Sequence, residues 1–332
     1  MSFPPEEDRV SLRIRPFSET PGDFAAIVEI DNRCDPEHPY TVEEFRHDYE
    51  NFDKQKYVMG YYIAEIGEKP VGYGCYHHMP HRFDPQRVWI WVGVRPEYRG
   101  RGIGSALYER ILADLRKIPI RFLHTAARET WVETIRFLKR RGFREIMRTW
   151  ESHLDVAAFD SKPFAPYLQK VEQKGVVLTT LAQEKVEDPD WLFKVYDLHM
   201  ATMADVPMPT PFTPIPLEEF RRRILDDPNL LDEAFFLAKV GREYVGESFV
   251  FRIPAEPGHL TQVFTGVRRE YRGQGIALAL KLKVIAYAQA HGYKLIKTWN
   301  ASTNAPMLAI NEKLGFRRKP AWIEYEKALE PF

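Results

Sequence analysis

Residues 94–107 (VRPEYRGRGIGSAL) and 267–280 (VRREYRGQGIALAL) carry the same chemistry twice: arginines and glycines gathered in a turn that opens an apolar helix. Glycines at 100, 102, 273 and 275 admit positive φ and let a ligand come close to the backbone. The first-turn N–H groups of a helix have no intrahelical partner, so such a turn is suited to holding an anion, phosphate above all. Several charge-assisted hydrogen bonds of roughly 1.5–3 kcal/mol each leave about micromolar binding after the losses of association. No GK[ST] follows either turn and the full G-x-G-x-x-G is missing, so neither is a Walker loop or a dinucleotide fingerprint.

The elements that must hold these turns repeat with them. Arg99 and Gly102 recur 173 residues on as Arg272 and Gly275, and Gly142-Phe143 recurs at the same interval as Gly315-Phe316. Val71-Gly72 recurs as Val245-Gly246, and Glu43-Glu44-Phe45 as Glu218-Glu219-Phe220. A period this long means duplicated domains and excludes a solenoid. Each copy predicts a first strand (12–15; 176–180), helices around Phe45 and Phe220, and three strand-like runs (57–66, 71–77, 88–94; 234–240, 244–253, 260–267). The glycine turn and its helix follow, then a strand (120–125; 294–299), a short helix and the Gly-Phe turn. Strands alternating with helices imply an α/β or α+β layer. The expected domains are 1–156 and 175–332, with 157–174 a linker bearing one short helix.

Composition excludes several classes. Lys plus Arg equals Asp plus Glu at 47 each, which argues against a nucleic-acid surface. No apolar run approaches ~18 residues, so no membrane span is expected. The N-terminus, MSFPPEEDRV, lacks the apolar stretch of a secretory signal. Cys34 and Cys75 make neither a disulfide framework nor a zinc site, and a cytoplasmic protein is expected. His77, His78 and His81 match no standard metal spacing, so no metal is expected.

The turns resemble motif A of the GNAT superfamily of N-acetyltransferases, [QR]-x-x-G-x-[GA]. Arg99-x-x-Gly102-x-Gly104 and Arg272-x-x-Gly275-x-Ala277 both satisfy it; the preceding V-x-P-x-[YF]-R-G is complete in copy one, whereas Arg269 replaces its proline in copy two. The resemblance covers nearly the whole chain as two units, an organisation found in tandem members. It implies two domains, each a mixed central sheet flanked by helices, and acetyl-CoA as co-substrate. The loop amides would grip its pyrophosphate at Arg99, Gly100, Arg101, Gly102 and Gly104, and at Arg272, Gly273, Gln274, Gly275 and Ala277. The preceding strand would bond the pantetheine, through Val94 in one copy and Thr265 and Val267 in the other. The family's later motif places Asn304 on the pantetheine arm. Asn311 stands where the family has a tyrosine that protonates the leaving thiolate, and an amide is a poor acid. In copy one the corresponding positions are Trp131 and Leu138. The C-terminal half is therefore expected to be catalytic and the N-terminal half a degenerate binder.

The activity so implied is acetyl transfer to the primary amine of a small acceptor, by direct attack on the thioester; the rival is a non-catalytic acyl-CoA sensor or scaffold. A lysine-like amine is neutral at pH 7 at a cost of about 4.6 kcal/mol unless a base offsets it. By type, Glu247 and His259 are the candidate bases; the alternatives are an outward strand carboxylate and a loop residue. Gln262 or Thr265 would instead order a water. The oxyanion donor falls to the N–H of Val267. Asp205, in DVPMPTPFTPIP, would draw a cationic amine or else cap a turn. Partners are limited to the small amine, with no nucleic acid and no membrane, in a monomer or homodimer.

Overall fold

The computed structural model describes residues 12–329, so the N-terminal segment read above for a signal lies outside the described residues. The chain divides into two compact units. Of the described residues, the first holds 12–125, 140–144 and 325–329; the second holds 126–139 and 145–324.

In the first unit, β1 (Leu12–Pro16), β2 (Met59–Ile66), β3 (Lys69–His77), β4 (Arg87–Val94) and the first four residues of β5 (Phe122–Arg128) form a sheet in that order. Neighbours are antiparallel except β4 and β5, which are parallel. Helix α1 (Pro21–Cys34) starts where Thr20 accepts from the Asp23 N–H and Pro21 presets the first turn. Helix α2 (Val42–Glu50) opens on a reciprocal Thr41–Glu44 capping box. Both pack on one face of the sheet through Phe24, Ile27, Phe45 and Tyr49 against Ile63 and Tyr73. On the other face, Leu107 and Ile111 of α3 (Ile103–Leu115) lie against Gly74, where an added Cβ would meet Ile111 at 3.2 Å.

The second unit takes in α4 (Val132–Arg140, all but its last residue) and β6 (Arg144–Asp155, all but its first). The expected boundary at 156 thus cuts away a strand of the second sheet, because β6 is laddered to 295–301 over seven residue pairs. The expected linker is also part of this unit: α5 (Ala165–Glu172) buries Val171 in a core with Ile276, Ala279 and Leu280. The chain continues through β7 (Val176–Thr180), α6 (Leu181–Glu187), α7 (Trp191–Met203), α8 (Leu217–Phe220), β8 (Phe236–Val240), β9 (Glu243–Arg252) and β10 (His259–Val267). It closes with α9 (Ile276–Ala290), β11 (Leu295–Ala301), α10 (Ala305–Lys313), β12 (Arg317–Arg318) and the start of β13 (Trp322–Ala328), whose residues from Tyr325 on belong to the first unit. The sheet order is β6-β11-β10-β9-β8-β7.

Two glycines let helices close on both faces of this sheet. An added Cβ on Gly246 would meet Ile276 and Leu280 of α9 at 3.1 Å; one on Gly266 would meet Thr202 of α7 at 2.6 Å. Helix α9 is apolar on nearly every side, as a helix buried all round must be. The Gly-Phe turn has a backbone cause. Phe316 N–H donates to Asn311 O and Gly315 N–H to Glu312 O, while Gly315 takes φ +84°, the Schellman ending of a helix.

Candidate functional site

The site starts as a fork in the second sheet. Strands β10 and β11 pair in parallel from His259↔Leu295 to Gln262↔Thr298, where their ladder ends. Beyond it β10 stays on β9 as far as Val267↔Gly246, and β11 stays on β6 as far as Ala301↔Thr149. The register of β10 slips between Gln262 and Phe264, a bulge that bends the strand and leaves Val263 42% exposed. The Gln262 carboxamide lies at the bulge, with Nε2 within 3.0–3.1 Å of Ser248 Oγ, Phe249 O and Phe264 O. Committed there, Gln262 does not serve as the water-ordering group the sequence suggested. Thr265 Oγ1 lies 2.8 Å from Ser248 Oγ.

Strand alternation aims the backbone. Arg268 N–H donates to Val245 O of β9 at 2.9 Å, so the polar groups of Val267 and Thr265 face the other way, into the fork. The Val267 carbonyl accepts from Arg272 Nε at 2.9 Å, which folds the glycine turn back on the strand end. Gly273 and Gly275 take φ +72° and +89°. Gly275 is the N-cap of α9 and offers no side-chain hydrogen bond, so the first-turn amides, Ala277 among them, have no capping side chain. The first unit repeats this wiring. Gly100 and Gly102 take φ +77° and +82°, Arg99 Nε donates to Val94 O at 3.0 Å, and Gly102 caps α3 without a side chain. Gly104 follows in the first turn of α3, and the Arg101 guanidinium lies over the Tyr98 ring. The copies differ at the strand: β4 keeps an unbroken register against β3 from Trp89 to Val94, whereas β10 carries the bulge.

Asn311 and Asn304 both lie on α10. The Asn304 carboxamide oxygen caps the helix, accepting from Met307 N–H at 3.3 Å. Asn311 is buried and donates to Asn300 Oδ1 at 2.6 Å, on the diverging end of β11; its own Oδ1 has no hydrogen-bond partner. A buried carbonyl left in this way at the mouth of the fork fits a ligand that brings a donor.

Glu247 lies opposite Gly266 in the β9–β10 ladder and is fully buried, facing α7 rather than solvent. One carboxylate oxygen accepts from Thr202 Oγ1 at 3.0 Å and lies 3.1 Å from His199 Nδ1; the other has no partner. His199 and Thr202 escaped the sequence reading, since a histidine within an apolar helix gives no signal until a strand carboxylate is set beside it. His259 is not brought to this place. It begins β10, on the closed side of the fork, with its ring 3.5 Å from Glu256. Asp205 is not an open acidic wall either. It pairs with Arg269 and Arg272, and the hydrogen bond from Arg269, with Arg272 beside it, lowers its pKa to about 2. The carboxylate instead pins the glycine turn to the loop just after α7. Asp205→Ala is expected to raise amide exchange at 272–276 about tenfold, as read by hydrogen–deuterium exchange of native and variant protein.

Behind the bulge sits Lys281 of α9, 1% exposed. Its Nζ lies 3.4 Å from Gln262 Oε1 and 4.9 Å from the centre of the Phe316 ring. Burial pulls its pKa from 10.5 down to about 7. Among the described residues no group of three or more His, Cys, Asp or Glu is arranged to hold a metal, and no helix is long and apolar enough to cross a membrane.

Known proteins carry the same pattern. The model of the acetyltransferase (GNAT) family matches residues 24–143 and 195–316, more than half of the chain. Mycothiol acetyltransferase of Amycolatopsis mediterranei is 26% identical over 281 residues, 79% of this chain and 82% of that protein. That of Acidothermus cellulolyticus is 26% identical over 252 residues, 70% and 69% of the two chains. A tandem GNAT protein from the clavulanic acid biosynthesis pathway shares the fold, with a TM-score of 0.74 at 18% identity over 97% of this chain and all of that one. A GCN5-related N-acetyltransferase from Sphaerobacter thermophilus does so with a TM-score of 0.69 at 18% identity, each chain covered to 96%. With its Arg-x-x-Gly turn and Gly-Phe ending present twice and the family's model matching both halves, the chain belongs to the GNAT family as a tandem N-acetyltransferase.

Proposed function

We propose that the second unit transfers acetyl from acetyl-CoA to the primary amine of a small-molecule acceptor. The observation that carries this reading is the bulged fork of β10, its amides turned inward beside a helix start with no side-chain cap. The first unit keeps the phosphate turn without the bulge, which supports a binding role there. The turn at Gly273–Ala277 would hold the pyrophosphate, and Thr265 and Val267 the pantetheine arm. Bound acetyl-CoA supplies an activated thioester carbonyl. The Val267 N–H is placed to stabilise negative charge on a carbonyl oxygen. Glu247 and His199 form the proton acceptor for the amine, with Glu247 orienting the ring as a carboxylate orients an imidazole in other relays. The two mycothiol acetyltransferase relatives, both acting by name on a small molecule, support the acceptor class.

One observation favours the rival, an acyl-CoA sensor: Asn311 offers an amide where an acid is wanted. Free-thiol release from acetyl-CoA across a panel of primary amines separates the two. Turnover with any amine supports transfer; binding of acetyl-CoA without turnover across the panel supports the sensor. Glu247→Gln keeps the Thr202 hydrogen bond and removes the carboxylate from the Glu247–His199 pair. It is expected to lower kcat at least about tenfold with the KM for acetyl-CoA little changed.

A further inference from the structure

The bulge that opens the fork in the second unit is held by a side chain. Val263 is its extra residue: Gln262 pairs with Val250 before it, and Phe264 with Phe249 after it. Because the count slips by one there, Gln262 and Thr265 face the same side of the sheet as their partners Val250 and Ser248. Without the slip the alternation would be reversed beyond Val263. The amides of Thr265 and Val267 would then turn toward β9 and away from the fork.

Phe264 and Phe249 form the first rung past the bulge, and Gln262 Nε2 donates to both of their carbonyls, at 3.1 and 3.0 Å. Ser248 Oγ is a further acceptor at 3.0 Å, and that hydroxyl in turn lies 2.8 Å from Thr265 Oγ1. Two carbonyls on one side demand the nitrogen end of the carboxamide there. The oxygen end faces Lys281 Nζ at 3.4 Å, a donor with or without its extra proton. Gln262, Ser248 and Lys281 are all buried, so water does not compete for these bonds. The first unit shows the converse. Its rung matching Gln262↔Val250 is Ile90↔Tyr76, and Gly74 stands opposite Val92 where Ser248 stands opposite Thr265. Tyr108 lies 173 residues before Lys281. All three polar groups are replaced in that copy, and its ladder runs from Trp89 to Val94 without a slip. The carboxamide key and the bulge thus occur together in one copy and are absent together from the other.

We propose that Gln262 is a positioning residue of the second unit's site: by clamping the first rung past Val263 it keeps the Thr265 and Val267 amides turned into the fork. Its effect on turnover rests on the acetyl-transfer reading, but the positioning itself is read from binding alone. The test is hydrogen–deuterium exchange of the full chain with and without saturating acetyl-CoA, for the native protein and for Gln262→Met. Methionine keeps the length of the side chain and removes its donors and its acceptor. In the native protein acetyl-CoA is expected to slow exchange at 264–267 and at 273–277. In the variant the slowing at 264–267 should shrink at least about fivefold while that at 273–277 stays within about twofold. With any amine the native chain acetylates, kcat should fall at least about tenfold. Should methionine unfold the chain, Gln262→Glu answers the same question. It keeps the shape and pairs with Lys281, but its carboxylate has no proton for the two carbonyls, so the same selective loss is expected. Native-like slowing at 264–267 in the folded variant overturns the proposal. So does an equal loss at 264–267 and 273–277, the mark of general loosening, or no slowing at 264–267 in the native protein. If the native chain binds acetyl-CoA but acetylates no amine, the transfer reading fails and the exchange comparison still decides the role of Gln262.

Discussion

Replacing Gly275 by valine is expected to lower kcat/KM for acetyl-CoA by about 10²-fold or more, whereas Gly102→Val is expected to leave turnover within about twofold. Gly275 holds φ +89° at the first step of α9. An L-residue there costs roughly 1–2 kcal/mol, and a β-branched one more. Its Cβ would also stand 3.5 Å from Val171 Cγ2, so the valine methyls meet the packed α5. Relief comes from rotating the turn, which moves the first N–H groups of α9 off the phosphate position. Losing two charge-assisted bonds of roughly 1.5–3 kcal/mol each gives the stated factor. Gly102 has the same backbone strain, φ +82°, but nothing within 4 Å of an added Cβ. A difference in turnover between the two variants therefore reports which turn serves the chemistry. Equal losses would place catalysis in both units or in neither, and thermal melts of both variants separate this from unfolding.

Lys281→Met is expected to stabilise the protein at low pH and to lose that advantage as pH rises. The lysine's folded pKa lies near 7 against 10.5, and desolvation is the cause. The unfolded chain binds the proton more tightly, so the penalty is complete below about pH 7 and fades toward 10.5. The full difference is worth roughly 5 kcal/mol, offset in part by the Gln262 contact and the Phe316 ring. Methionine keeps the length and flexibility of the stem. A net gain of about 3 kcal/mol corresponds to a melting temperature higher by roughly 6–12 °C. That gap is expected at pH 6 and should nearly close by pH 10. A gap that stays constant with pH, or a variant less stable throughout, would show that burial does not lower the Lys281 pKa.

What the sequence made legible was backbone-determined. The Arg-x-x-Gly turns, the Gly-Phe endings and the strand–helix order were readable because each depends on local conformation: positive φ at Gly275 and Gly315, and the long apolar stretch of α9. The GNAT resemblance built on them holds for the described fold. The rest depended on pairing at a distance. The boundary at 156 missed β6 because its partner, β11, comes some 140 residues later. Asp205 read as an acceptor wall because the arginines that neutralise it are not neighbours in sequence. His259 looked close to the turn because it opens the same strand, but a strand advances ~3.3 Å per residue and carries it to the far side of the fork. Glu247 is singled out in the sequence by residue type alone, and its partner His199 shows only once α7 is laid over Gly266.

The account's central claim is tested most directly by calorimetric titration of the native chain with acetyl-CoA, repeated on Gly275→Val. It predicts saturable, about micromolar binding, with the component belonging to the second unit removed by the substitution. An isotherm the substitution leaves unchanged, or no heat of binding up to about millimolar acetyl-CoA, would contradict it.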